Sequence, residues 1–315
     1  MFSRFQFVFL TVTLLFVADS VCRAEGIKLA KPTVQRWQVG LVVSAQSPSA
    51  GIMAAAPVPD DWPEQKVKIV KTDKTPNVRQ IRFRKLSGGA KQMLVEIPRL
   101  AAGETARAVL TFEISRSAIE GPEDTSDLTI PTRLPQNMRL YLSASPMIET
   151  TNAMIRKTAR EVAGDKKGWA RVEAIYDWVR DNVEYKEGSL KGAVAALRDG
   201  TGDCEELTSL FIALCRVNRI PARTVWVPGH CYPEFYLQDE QGRGHWFPCQ
   251  AAGTRAFGSI PENRIILQKG DNIRVPELRG PQRYASATMK VTRPGRVPPT
   301  IQFIRQPLNQ SPAGQ

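Results

Sequence analysis

Histidine is almost missing from this chain: there are two in 315 residues, His230 and His245. That scarcity excludes a metal centre built from several imidazoles, and it confines imidazole proton transfer to two candidates. Cysteine is sparse as well, with five residues and no Cys-x-x-Cys pair, which removes zinc-ribbon and thioredoxin-type sites. A mixed set from His230, Cys231, His245 and Cys249 is a poor zinc site, because His230 and Cys231 would point to opposite faces of a strand. No acidic segment has the spacing of a calcium loop. The expectation is therefore no metal and no cofactor.

Charge of one sign is abundant but never concentrated. Lys and Arg outnumber Asp and Glu by 43 to 31, for a formal net charge of +12. No Lys/Arg block is long enough to act as a nucleic-acid arm, so no nucleic-acid partner is expected. A basic exported protein would instead meet an anionic cell-envelope polymer, with solubility alone as the equal alternative. Apart from Phe5 to Val17 there is no long apolar run, and that one falls short of the roughly 20 residues a membrane span needs. Arg4 precedes it, and Cys22 and Ala24 follow as small residues. Residues 1–24 therefore read as a signal peptide cut after Ala24, implying a secreted or periplasmic protein with an uncleaved anchor as the alternative. Arg23 argues against lipidation at Cys22.

The remaining length suits two domains. Residues 25–120 carry short runs of alternating or β-branched apolar residues at Trp37 to Val43, Val67 to Val70, Val78 to Phe83, Gln92 to Ile97 and Ala106 to Ile114. Turn clusters separate them, which predicts an all-β, immunoglobulin-like sandwich with no catalytic residues. Residues 121–142 read as a linker. Residues 143–290 begin with helical periodicity: one helix opening near Pro146, one from Gly168 to about Val183 and one over Leu190 to Leu197. Residues 291–315 include Pro294, Pro298, Pro299, Pro307 and Pro312 and are expected to be a disordered tail.

The densest chemistry lies between Gly200 and Gln250. Gly200-Thr201-Gly202-Asp203-Cys204 runs into a helix whose Leu207, Leu210, Phe211, Leu214 and Val217 share one face. Cys204 falls in the first turn, where the helix N-terminus favours thiolate over thiol. Glu205 and Glu206 oppose that shift, so a cationic partner is needed, and His230 is the candidate. A Cys at a helix start with a His on a later strand is an arrangement thiol enzymes use to join nucleophile and base. Cys215 falls in the buried stripe.

Gly202-Asp203-Cys204-Glu205-Glu206, the helix, Arg219-Ile220-Pro221-Ala222-Arg223, His230 opening a strand, and Trp246-Phe247-Pro248 before Gln250 resemble the core of the transglutaminase-like superfamily. The likeness spans roughly Met147 to Gln250 and implies an α+β, papain-like fold. It further implies Cys204 as nucleophile, His230 as general base and a peptide or protein substrate. The family's usual third member is an Asp, and here Gln250 occupies that place; an amide oxygen can hold the imidazole by accepting its second N–H. Its aromatic oxyanion donors would correspond to Tyr185 or Trp178, both of which have packing roles as the alternative. The resemblance leaves two functions open, a thiol enzyme acting on amide or isopeptide bonds or an inactive binding protein of the same fold.

Two further expectations concern the strands. Pro233 cannot donate to a ladder, which predicts an edge or bulged strand from His230. If His230 faces Gln250 across an antiparallel pair, Cys231 faces Cys249 on the other side, and the two either form a cross-strand disulfide or stay free. His245, in a glycine-rich turn, is read as an exposed loop residue.

Overall fold

The computed structural model describes residues 27–308, so the expected signal peptide at 1–24 and the last residues, 309–315, lie outside the described residues. The first part of the chain forms β1 (Lys28–Leu29), β2 (Thr33–Ser44), β3 (Ser49–Val58), β4 (Gln65–Lys74), β5 (Gln80–Leu86), β6 (Ala90–Leu100), β7 (Thr105–Arg116) and β8 (Ile119–Glu120). A 3-10 turn over Gln136–Leu142 leads to α1 (Ala153–Ala163), α2 (Gly168–Asn182), β9 (Glu184–Tyr185), α3 (Gly192–Asp199), β10 (Thr201–Gly202) and α4 (Cys204–Val217). After these come β11 (Ala222–Val227), β12 (His230–Gln238), β13 (Gly244–Pro248), β14 (Gln268–Lys269), β15 (Ile273–Arg274), β16 (Pro281–Gln282), β17 (Thr288–Arg293) and β18 (Thr300–Pro307).

Two four-stranded antiparallel sheets face each other, in the orders β18-β2-β7-β4 and β17-β3-β6-β5. Alternation drives them together: Val39, Leu41 and Val43 on β2 and Leu110, Phe112 and Ile114 on β7 all point inward and are buried. β3 is the strand the expected set left out. Its Ala-rich sequence has weak intrinsic β preference, but Ile52, Ala54, Ala56 and Val58 occupy the interior and packing overrides propensity.

The expected disordered tail is largely structured. β17 pairs with β3 from Thr288↔Ala55 to Arg293↔Ala50, and β18 pairs with β2 from Thr300↔Ser44 to Pro307↔Trp37. Pro294, Pro298 and Pro299 sit in the connection that crosses from one sheet to the other. Proline is tolerated there because no ladder needs its missing N–H.

The second core is helical on one side and sheet on the other. α1, α2 and α3 surround α4, which packs on the sheet β13-β12-β11-β14. α1 begins later than Pro146 because Asn152 caps it, accepting from the Met154 N–H at 2.8 Å. β12 is central and not an edge: it pairs with β11 and β13. Pro233 is accommodated because its carbonyl accepts from the Cys249 N–H, which puts its ring nitrogen toward β13 just past that ladder's last pair, Glu234↔Pro248.

The segment leaving this core is clamped to the sandwich. Ile265 and Leu267 enter the sandwich core, and the buried Gln65 side chain makes two bonds to the Ile266 backbone, at 2.7 and 2.9 Å. Lys269 lies between Glu64, from the sandwich side, at 2.6 Å and Glu234, on β12. Arg223 also pairs with Glu234 and stacks on Trp246. Lys269 and both of its carboxylates are almost fully buried, so the network holds only while complete. Replacing Lys269 by Ala leaves Arg223 on Glu234 but strands Glu64 without a counter-charge. The expected loss is about 3–5 kcal/mol of stability, read from the denaturant midpoint at constant slope.

Candidate active site

The local sequence builds the start of α4. Gly200 ends α3 in a left-handed conformation (φ 65°), and Gly202 is required by crowding: a Cβ there would lie 2.5 Å from the Glu206 Cβ. Asp203 caps the helix, its carboxylate accepting from the Glu205 N–H at 2.7 Å, while the Glu206 carboxylate accepts from the Asp203 N–H at 3.1 Å. Burial, then the neighbouring Glu206, raises the Asp203 pKa to about 6. Cys204 is the first helical residue, half-buried, with a backbone N–H for which no acceptor is found among the described residues.

His230 reaches the same place from the opposite direction. A turn at Pro228-Gly229 ends β11, and His230 is the first residue of β12. Its Nε2 lies 2.9 Å from Gln250 Oε1. Because that oxygen only accepts, Nε2 must carry the proton, leaving Nδ1 for the thiol. Gln250 lies beyond β13 in a loop pinned by Arg180, whose guanidinium donates to the carbonyls of Gln250 at 2.9 Å and Gly253 at 2.8 Å.

Electrostatics favour an ion pair. The Cys204 pKa is held down at about 4: the Cys231 thiol donating to it contributes most, burial opposes, and the His230 ring adds to the effect. Burial alone would lower the His230 pKa, but hydrogen bonds to Cys204 and Gln250 carry it above its usual value. The other described thiols, Cys215, Cys231 and Cys249, are buried and pushed well above the usual value, mainly by that burial. Glu205, whose charge would oppose a thiolate, forms an ion pair with Arg283.

The expected pairing of Cys231 with Cys249 is corrected. The observed register is Glu234↔Pro248 and Phe235↔Phe247, two residues away from the one expected. A two-residue slip preserves which face each side chain occupies, so His230 and Gln250 still meet, but Cys231 and Cys249 are not opposite and both are free thiols. Cys231 pairs with Trp226 on β11 and turns its sulfur toward α4, 3.5 Å from the Cys204 carbonyl and 3.8 Å from Thr208 Oγ1. His245 is also corrected: it lies on β13, largely buried, with Nε2 3.0 Å from Asp239 Oδ2, and lines neither cavity at the thiol.

Two cavities flank the Cys204–His230 pair and share His230 and Tyr185 as walls. One, of about 750 Å³, has Gln250, Ala251, Ala252 and Arg264 at its sides. The other, of about 510 Å³, contains Cys204, Trp226, Arg283 and Tyr284. Tyr185 is half exposed beside Gly202, its partner in the β9–β10 ladder, whereas Trp178 packs against the helical core. Arg180, Arg283 and Tyr284 were not singled out from the sequence, and Cys231 was weighed there as a zinc ligand or a disulfide partner, not as a donor to Cys204; these contacts join positions tens of residues apart and leave no local pattern.

Residues 156–251 match the family model of the transglutaminase-like superfamily. A search of curated proteins finds no match. Among solved structures, a proposed cysteine protease from Cytophaga hutchinsonii aligns with a TM-score of 0.59 at 19% identity, over 90% of this chain and 94% of that one. A proposed protease from Parabacteroides distasonis (TM-score 0.29, 11% identity, 71% of this chain and 48% of that one) and the periplasmic domain of TgpA from Pseudomonas aeruginosa (0.34, 15%, 69% and 89%) align too loosely to carry an argument. The family match bears out the resemblance read from roughly Met147 to Gln250. The Cytophaga alignment shows an α+β fold shared over most of both chains, and the family match gives residues 156–251 the transglutaminase-like fold. Among the described residues no helix is long and apolar enough to cross a membrane.

Alkylation by iodoacetamide tests the ion pair. Reactivity at Cys204 is expected to rise through about pH 4, where the thiolate forms, and to stay high above it. In His230→Ala the rise moves to higher pH, because the imidazolium no longer favours the thiolate; an unchanged profile would remove His230 from the pair.

Proposed function

We propose that this protein is an exported thiol enzyme that cleaves or exchanges amide or isopeptide bonds through an acyl group carried on Cys204. The observation that carries the reading is the convergence of three side chains from separate elements: a helix-start thiol, a strand-start imidazole and a loop amide holding the ring at 2.9 Å. The Cys204 thiolate attacks the substrate carbonyl. Negative charge then develops on the carbonyl oxygen, toward which the Cys204 N–H and the positive end of α4 can be directed. The leaving amine takes a proton from His230, and water or a second amine then resolves the thioester with His230 acting as base.

Gln250 fixes the ring without adding charge. An orienting carboxylate would stabilise imidazolium more strongly, so the neutral amide leaves the cation to be supported chiefly by the thiolate. That neutrality is also the feature favouring the second reading, an inactive binding or assembly protein. The spacious cavities on both sides of the thiol suit a substrate continuing past the reacting bond, hence a peptide or protein. Export rests on the apolar N-terminal segment, Phe5 to Val17, with small residues at Cys22 and Ala24 after it.

A thiol-directed acylating probe separates the two readings. The wild-type protein is expected to label at Cys204 and Cys204→Ala not at all, with folding of both checked by circular dichroism. His230→Ala should slow labelling by about 10²–10⁴-fold, the usual range for removing a general acid–base. Gln250→Ala should slow it by about tenfold, the worth of one orienting hydrogen bond. Equal labelling of wild-type and Cys204→Ala protein would leave the binding reading.

A further inference from the structure

The cavity that holds Cys204 does not end at the helical core. At its far wall stand Tyr284 and Arg305, and these same two residues line a third cavity, of about 410 Å³, in the sandwich. That cavity opens where β17 stops: beyond Thr288↔Ala55 no strand continues the sheet, so Ala56 and Pro57 on β3 face Phe303 and Ile304 on β18 across a gap. Val39, Ala56, Pro57, Phe303 and Ile304 give it apolar walls, Ser286 and Arg305 add polar surface, and the Phe303 ring is 39% exposed. The three cavities therefore lie in a row, each sharing two wall residues with the next: Tyr185 and His230 beside the thiol, Tyr284 and Arg305 where the row reaches the sandwich.

The junction has its own chemistry. Arg305 donates to the Tyr284 hydroxyl at 2.6 Å, and Tyr284 packs edge-on against Trp226, a wall of the thiol cavity. No carboxylate pairs with Arg305 among the described residues, whereas Arg283, on the thiol side, is already paired with Glu205. A positive charge without a partner, placed between a reacting thiol and an apolar hole, favours a ligand that is acidic at one position and apolar further on.

We infer that the sandwich is part of the substrate-binding site: the row of cavities takes an extended polypeptide, seats one of its apolar side chains in the Phe303 cavity and places an acidic residue beside Arg305. This deepens the acyl-enzyme reading and rests on it for the position of the reacting bond. A small amide could reach Cys204 but not the remote cavity, so the device selects polymeric substrate. It also gives the C-terminal strand a role in recognition, since both Phe303 and Arg305 lie on β18.

The test uses epoxysuccinyl peptides of alternating Leu and Glu, extended from the reactive group in either direction by between about two and about eight residues. In one direction, labelling of Cys204 should accelerate by about 10- to 100-fold once the chain is long enough to bury a Leu in the remote cavity. Phe303→Asp should bring the long-to-short rate ratio down toward one. Arg305→Gln, which retains a donor for Tyr284, should abolish the preference for Glu-containing over Gln-containing peptides. Rates independent of length in both directions, or a length effect that survives Phe303→Asp, would overturn the inference. If even the shortest probe fails to label wild-type Cys204, the acyl-enzyme reading is what fails. Anisotropy of a fluorescent eight-residue peptide without the reactive group then reads the row of cavities alone, with weaker binding to Phe303→Asp expected and equal binding overturning the inference.

Discussion

The packing of α4 across β11 and β12 is the constraint from which the site follows. α4 lies against β12 with the starting residues of both, Cys204 and His230, at the same end of the layer. The helix start contributes the Cys204 N–H and a partial positive charge; the strand start contributes a ring whose second nitrogen is held by Gln250. The low thiol pKa comes chiefly from the Cys231 thiol, with the His230 ring adding to it. Cys231 is a by-product of the same packing: one residue after His230, it must face the helix, and its sulfur arrives beside Cys204.

The two cores are joined by groups that tolerate little loss. Gln65 acts as a strand substitute for the Ile266 backbone, and Lys269 shares its charge between Glu64 and Glu234. Arg216 makes a comparable buried pair with Asp271, and Asp271 also accepts from the Thr224 N–H at the edge of β11. Such pairs add little net stability over apolar packing, yet each is costly to break singly, so they specify one arrangement of sandwich, sheet and crossing segment. Fixing that arrangement matters because the chain after β14 returns past the thiol, bringing Arg283 and Tyr284 to the cleft before it enters β17.

Much of this could be read from the sequence because it is governed by short-range chemistry. Apolar spacing gave α4 its buried face, and the Gly-Thr-Gly-Asp run before it placed Cys204 at the helix N-terminus; the Asp203–Glu206 cap came only with the structure. Alternating residues identified five of the sandwich strands, and the order of motifs from Gly202 to Gln250 was enough for the family resemblance. The scarcity of histidine left His230 as the natural partner before any geometry was known.

What only the tertiary structure decided depends on partners distant in sequence. The register of β12 on β13 is set by how the strands pack beneath the helices, and its two-residue offset from the symmetric guess kept His230 near Gln250 while separating Cys231 from Cys249. β3 is a strand because a neighbour covers its alanines, and the proline-containing stretch from Thr288 to Pro307 forms strands because β2 and β3 offer it open edges. Hydrogen-bonding edges have no local signature: a strand added at a sheet's margin is specified by the groups left unpaired on the strand beside it, and those belong to residues more than two hundred positions earlier.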